Sequence, residues 1–135
     1  MLDHINIRVA DYERSKRFYS EALAPLGYKL FMEAASGAGF RKDSIPDFWI
    51  KQGAAPTHPA AASAPELGCG GPAIHVAFMS DDRRTVDEFY RAAIDAGGRD
   101  NGPPAVRSEY HPHYYGAFVL DPDGYNIEAV CHNAE

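Results

Sequence analysis

The feature that most limits the fold of this chain is an internal repeat. Shifted by 71 positions, His4 falls on His75, Asp11 on Asp82, Phe18 on Phe89, Tyr19 on Tyr90, Ala22 on Ala93, Leu23 on Ile94 and Gly27 on Gly98. Self-similarity over so many positions means one structural unit used twice. Each copy opens on an alternating run, HINIRVA or IHVAFMS, whose period of two predicts a half-buried strand. A helix follows in both. Val86, Phe89, Tyr90, Ala93 and Ile94 recur at helical intervals, with Ser80 to Asp82 available as N-cap and Gly97 or Gly98 as the stop. Ser15, Phe18, Tyr19, Ala22, Leu23 and Leu26 repeat that pattern and end at Gly27. Strand candidates come next: YKLFMEA, GAGFRK and DFWIKQ in the first half, then a segment near Val106, YYGAFVLD and YNIEAVCH in the second. Each half reads β-α-β-β-β.

The chain of 135 residues reads as a single domain, 1–135, made of modules at approximately 1–53 and 72–135 with a linker at 54–71. The linker is rich in Ala, Pro and Gly and lacks periodicity, so His58 and Cys69 within it read as solvated residues. A hydrophobic content of 45%, with 12% aromatics, is enough to fill a core. A net charge of -6, with 13 basic residues in no run, repels phosphate backbones and anionic lipids. Nucleic acid and membrane are therefore excluded as partners. No signal-type or membrane-spanning apolar run is present, and Cys69 and Cys131 lack paired spacing, so a cytoplasmic protein with free thiols is expected.

An amphipathic helix after each first strand must bury its stripe against one side of a sheet. Ile5, Ile7 and Val9 then face the helix in the first copy, and Ile74, Val76 and Phe78 in the second. His4, Asn6 and Arg8 point the other way, as do His75, Ala77 and Met79. In the last strand Ile127 and Ala129 pack inward, leaving Asn126 and Glu128 on the opposite face. His4, His75 and Glu128 thus share the face turned away from the helices. Singly, each is an ordinary strand residue; two repeat-equivalent histidines with a carboxylate in the matching terminal strand point to more than packing. If the halves close around a shared cavity, two imidazoles and a carboxylate could hold a divalent ion with coordination positions left open. Pairing FRKDSIPDFWI with FVLDPDGYNIE, a shift of 78, sets Phe40 on Phe118, Asp43 on Asp121 and Ile50 on Glu128. The first half has no carboxylate there. Asp121 to Gly124 read as the turn that aims the Glu128 strand, with Gly124 at positive φ.

On the segments DHINIRVAD…FY…LG, HVAF…FY…AGG and FVLDPDGYNIEAV, the chain resembles the vicinal oxygen chelate superfamily of glyoxalases, extradiol dioxygenases, fosfomycin-resistance transferases and bleomycin-resistance proteins. The resemblance covers nearly the whole chain. It implies an α+β fold in which two βαβββ modules form a cup-shaped, eight-stranded mixed sheet, often in a homodimer. It also implies one divalent metal ion per site (Fe, Mn, Zn or Ni), with His4, His75 and Glu128 at the ligand positions, binding the adjacent oxygens of a small-molecule substrate.

Glyoxalase I-type enzymes add a second glutamate at the place where this chain has Ile50. Extradiol dioxygenases use the same triad with a nearby Tyr and His, and the Tyr position, ten residues before Glu128, is Phe118. The segment SEYHPHYYG offers Tyr110, His111, His113, Tyr114 and Tyr115 instead, with His111 or His113 as general acid-base. Glu128, His111 and His113 are thus the catalytic candidates; Asn6, Arg8, Trp49, Phe118, Tyr115 and Asn126 are the substrate-binding ones. Fosfomycin-type thiol transferases share the triad, but Phe118 and Asn6 depart from their pattern and the chain ends before their phosphonate-binding arginine. The expectation is a lyase or isomerase of the glyoxalase kind, or a ring-cleaving dioxygenase. A binding protein of the bleomycin-resistance type is the alternative.

Overall fold

The structure, a computed structural model, describes residues 2–54 and 74–134. His58, Cys69 and nearly all of the expected linker lie outside those residues. The elements run β1 (Ile5–Val9), α1 (Tyr12–Ala22), β2 (Lys29–Ala34), β3 (Gly37–Arg41), β4 (Phe48–Gln52), β5 (His75–Met79), α2 (Arg83–Asp95), β6 (Arg99–Val106), β7 (Tyr115–Leu120) and β8 (Asn126–Cys131). Both halves are therefore β-α-β-β-β, as the repeat predicts.

Each half folds into its own four-stranded mixed sheet, ordered β1-β4-β3-β2 and β5-β8-β7-β6. In both, the first strand runs parallel to the fourth and the other pairs are antiparallel. Asp82 caps α2 through the Thr85 N–H, within the expected Ser80 to Asp82 start, and its repeat-mate Asp11 caps α1 through the Arg14 N–H. Helix α1 stops at Ala22, short of Gly27, because the chain passes through turns around Pro25, which has no N–H to extend the ladder.

The two apolar faces meet in one continuous core that includes Ile7, Val9, Phe18, Phe48, Val76, Phe78, Phe89 and Ile127. Phe78 packs edge-on against Tyr28 and Phe48 of the other module, at 5.1 and 5.3 Å between ring centroids. Helix α1 lies against α2. Gly98 permits this approach: a Cβ there would come within 2.9 Å of the Phe18 ring and 2.8 Å of the Ala93 carbonyl. The turn before β8 locks the modules together. Asp121 accepts from the Tyr19 hydroxyl at 2.5 Å, Asp123 accepts from the Ala10 N–H, and the Tyr125 hydroxyl donates to the Arg8 carbonyl at 2.7 Å.

Strand pairing corrects one expected equivalence. Ile7 lies opposite Ile50, and its repeat-mate Phe78 lies opposite Ala129. Ile50 therefore corresponds to Ala129, and Trp49 corresponds to Glu128. A slip of one residue exchanges the faces of a strand, and Ile50 is indeed fully buried on the inward face. The first half still lacks a carboxylate at the site; its place is taken by an indole lying over Gly39, where a Cβ would meet the ring at 2.8 Å.

Candidate functional site

Because the modules share their helix-side faces, the opposite faces turn outward. Asn6, Arg8, His75, Ala77 and Met79 are exposed there. Strand β8 behaves differently, since it lies between β5 and β7 and is buried on both faces. That burial encloses Glu128 completely.

A fully buried carboxylate must be matched by donors, and two side chains supply them. His75 Nε2 lies 2.7 Å from Glu128 Oε2, and the Tyr114 hydroxyl donates to Oε1 at 2.5 Å. The Tyr114 phenol is pushed upward by burial and by its bond to the Glu128 carboxylate, so it stays a donor at neutral pH. Gly116 makes the arrangement possible, as a Cβ there would stand 2.9 Å from Glu128 Oε1 and 3.0 Å from the Tyr114 ring. Phe118 lies directly across from Glu128 in the ladder, with its ring 6.0 Å from that of His75. Asn126 is buried on the same face and accepts from Asn101 at 3.1 Å.

The remaining candidates separate into three groups. His4, Asn6 and Trp49 line an open groove of about 390 Å³ on the first sheet, together with Lys51. His4 Nδ1 lies 2.6 Å from the Asp3 carboxylate, which leaves Nε2 as the free ring nitrogen. Arg8 lies further along β1, its side chain against Gly53. Tyr115 faces helix α2, its hydroxyl donating to Asp87 at 2.8 Å. Tyr114, not Tyr115, reaches the carboxylate. His111 and His113 sit behind Tyr114: the His111 ring packs on His113 and His132, and His132 packs on Tyr114 at 5.1 Å.

His4 does not join His75 and Glu128 in the folded chain. Among the described residues, no three His, Cys, Asp or Glu side chains are grouped to hold a metal ion. The described residues of a single chain thus offer two donors, His75 and Glu128, and do not by themselves fit a three-ligand centre. Cys131 is buried and unpaired.

Paired βαβββ modules with a histidine and a glutamate on the outer face define a class, and the chain belongs to it. It is a member of the Glyoxalase/Bleomycin resistance protein/Dioxygenase superfamily, whose family model matches residues 1–129. The protein YqjT of Bacillus subtilis is 28% identical, over 96% of this chain and 98% of its own. The crystal structure of a glyoxalase/bleomycin resistance protein from Albidiferax ferrireducens superposes with a TM-score of 0.71 at 28% identity, covering 96% of this chain and 97% of that one. The fosfomycin resistance protein FosX of Mesorhizobium loti shares the fold, with a TM-score of 0.67 at 20% identity over 98% and 92% of the two chains. No helix among the described residues is long and apolar enough to cross a membrane.

Sequence reading did not single out Tyr114 as the partner of Glu128, nor Asp3, Gly116 or Asn101. Asp3 had a usable signal, a carboxylate adjacent to a candidate ligand. Gly116 and Asn101 lie within β7 and β6 and owe their roles to the residues that neighbouring strands bring alongside, and Tyr114 owes its role to the path of the segment before β7.

Proposed function

We propose that the chain is a metal-dependent enzyme of the glyoxalase or ring-cleaving dioxygenase kind, acting on a small molecule presented through adjacent oxygens. We propose also that its site is completed when two copies pair. The supporting observation is the His75–Glu128 contact: a fully enclosed strand carboxylate 2.7 Å from an imidazole at a repeat-equivalent position. Packing alone has no use for such a pair, since an apolar residue would fill the strand without the cost of burying a charge.

His4 is the third donor of this reading. Its Nδ1 is occupied by Asp3, and its Nε2 is available. In a homodimer that sets the outer face of one copy's first sheet against the outer face of the other copy's second sheet, His4 of one copy would meet His75 and Glu128 of the other. A bound Fe, Mn, Zn or Ni ion would supply Lewis acidity toward the substrate oxygens. The rest falls to the chain. Tyr114 fixes the rotamer of Glu128, Phe118 covers one side of the pair, and Asn6 and Trp49 line the opposing wall. His111 and His113 are the acid-base candidates of the neighbouring loop. The cytoplasm is the compartment that fits an unpaired buried Cys131.

A binding protein without turnover is the second reading, favoured by Trp49 standing where a second carboxylate would complete a four-ligand centre. Metal analysis with parallel turnover assays separates the two. About one equivalent of a transition metal per chain, lost in folded His4→Ala, His75→Ala and Glu128→Ala variants, supports the enzyme. Folded parent protein that takes up none of the four metals on reconstitution sinks it.

A further inference from the structure

We infer that Arg107 is the anchor for an acidic group on the substrate, so that the molecule taken by this site is a small carboxylate whose flat body lies over Phe118. This rests on the reading of His75 and Glu128 as the reactive end. Arg107 directly follows β6, and its N–H donates to the Tyr114 carbonyl at 2.7 Å. The two ends of the 107–114 loop therefore emerge side by side, and Tyr114 turns to Glu128 while Arg107 turns to Phe118. The guanidinium carbon stands 5.5 Å from the centre of the Phe118 ring. That ring also stands 6.0 Å from the His75 ring. Phe118 thus has both the Arg107 cation and the His75–Glu128 pair as neighbours.

This arrangement is built rather than incidental. Gly102 has φ +150, and a Cβ there would come 3.0 Å from the Phe118 ring and 3.1 Å from Arg107 Nη2. Any side chain at that position would push the guanidinium and the ring apart. Arg107 is also not neutralised. It donates to the Pro103 carbonyl at 2.9 Å, its buried Nε–H has no acceptor, and no carboxylate of the described residues pairs with it. A half-buried guanidinium without a carboxylate partner suits charge-assisted binding of a carboxylate through its terminal nitrogens. Charge then sets the orientation: the Glu128 carboxylate repels an anionic group, so the acidic end goes to Arg107 and the uncharged oxygens go to His75.

The test uses two ligands that share a ring and its adjacent hydroxyls but differ in the acidic group, 3,4-dihydroxybenzoate and catechol. Both are titrated calorimetrically into parent, Arg107→Gln and Arg107→Lys proteins, each with and without reconstituted metal. The parent should prefer the carboxylate by roughly ten- to a hundred-fold, the size of a charge-assisted hydrogen bond. Arg107→Gln should reduce that preference to within about two-fold, with Arg107→Lys in between. The ratio of the two affinities is the readout, because a general folding defect weakens both ligands alike. Should the Gln variant not fold, the Lys variant alone must lower the ratio. Equal affinities in the parent, binding of neither ligand, or a ratio unchanged in the variants overturns the anchor. A preference that persists in protein unable to hold metal would sink the metal reading and leave the anchor standing.

Discussion

At the scale of residues, Glu128 organises the candidate site, and the hydrogen bond from Tyr114 to its Oε1 can be tested from two directions. Removing the Tyr114 hydroxyl leaves a buried carboxylate oxygen without its donor, which costs about 1–3 kcal/mol. Tyr114→Phe should show that loss in urea unfolding, and a change below about 0.5 kcal/mol would mean that water replaces the phenol. Gly116→Ala tests the same contact from the backbone side. Its Cβ would sit 2.9 Å from Glu128 Oε1, so either the carboxylate or β7 must shift, at about 1–3 kcal/mol of overpacking. The proposed function adds that this variant should bind the metal more weakly than the parent, which dialysis against a chelator measures. Glu128 and His75 were legible in sequence because strand alternation fixes their face independently of any loop. Tyr115 was the candidate chosen there, yet alternation counted back from Phe118 puts Gly116 and Tyr114 on the Glu128 face and Tyr115 on the opposite one, toward α2.

At the scale of elements, the turn that aims β8 carries a pH dependence. Asp121 holds this turn by accepting from the Asp123 and Tyr125 N–H groups, and it joins the modules through Tyr19. Burial pushes its carboxyl up from 3.8 to about 6, against the lowering effect of those hydrogen bonds. A folded-state value above the unfolded one means that the native protein binds this proton more tightly. The contribution of Asp121 to stability is therefore greatest below pH 4, falls as pH rises from about 4 to about 6, and stays flat above that. Other carboxylates act in the opposite sense: Lys16 lowers Glu33, and the Thr85 N–H lowers Asp82. The comparison must then be between the parent and Asp121→Asn at matched pH. Their stability difference, from urea melts at pH 4.5 and 7.5, should shift in favour of the variant at the higher pH by roughly 2 kcal/mol. A difference that does not change with pH would mean that Asp121 titrates normally.

At the scale of the whole molecule, the outward faces raise the question of what covers them. Met32 and Ile45 are exposed in the first-sheet groove, and Met79 is 71% exposed on the outer face of β5. Apolar residues on both faces that carry candidate site residues fit the pairing of two copies proposed above. Light scattering should give twice the chain mass for the parent, and Met79→Asp should give the mass of one chain with unchanged circular dichroism and lost metal. A parent that stays monomeric at high concentration would refute the pairing. The sequence alone determined the two βαβββ units, the cap at Asp82, and the common face of His75 and Glu128. These follow from periodicities of two and 3.6 residues and from the repeat, all of which act locally along the chain. Tertiary structure decided that Trp49 rather than Ile50 is the counterpart of Glu128, since register depends on the partner strand. It also decided that Tyr114 and Arg107 flank the site, because a loop's direction depends on what its ends pack against. The modules meet through their helix-side faces, and so His4 is left apart from His75. No local pattern encodes that choice, which belongs to the shared core.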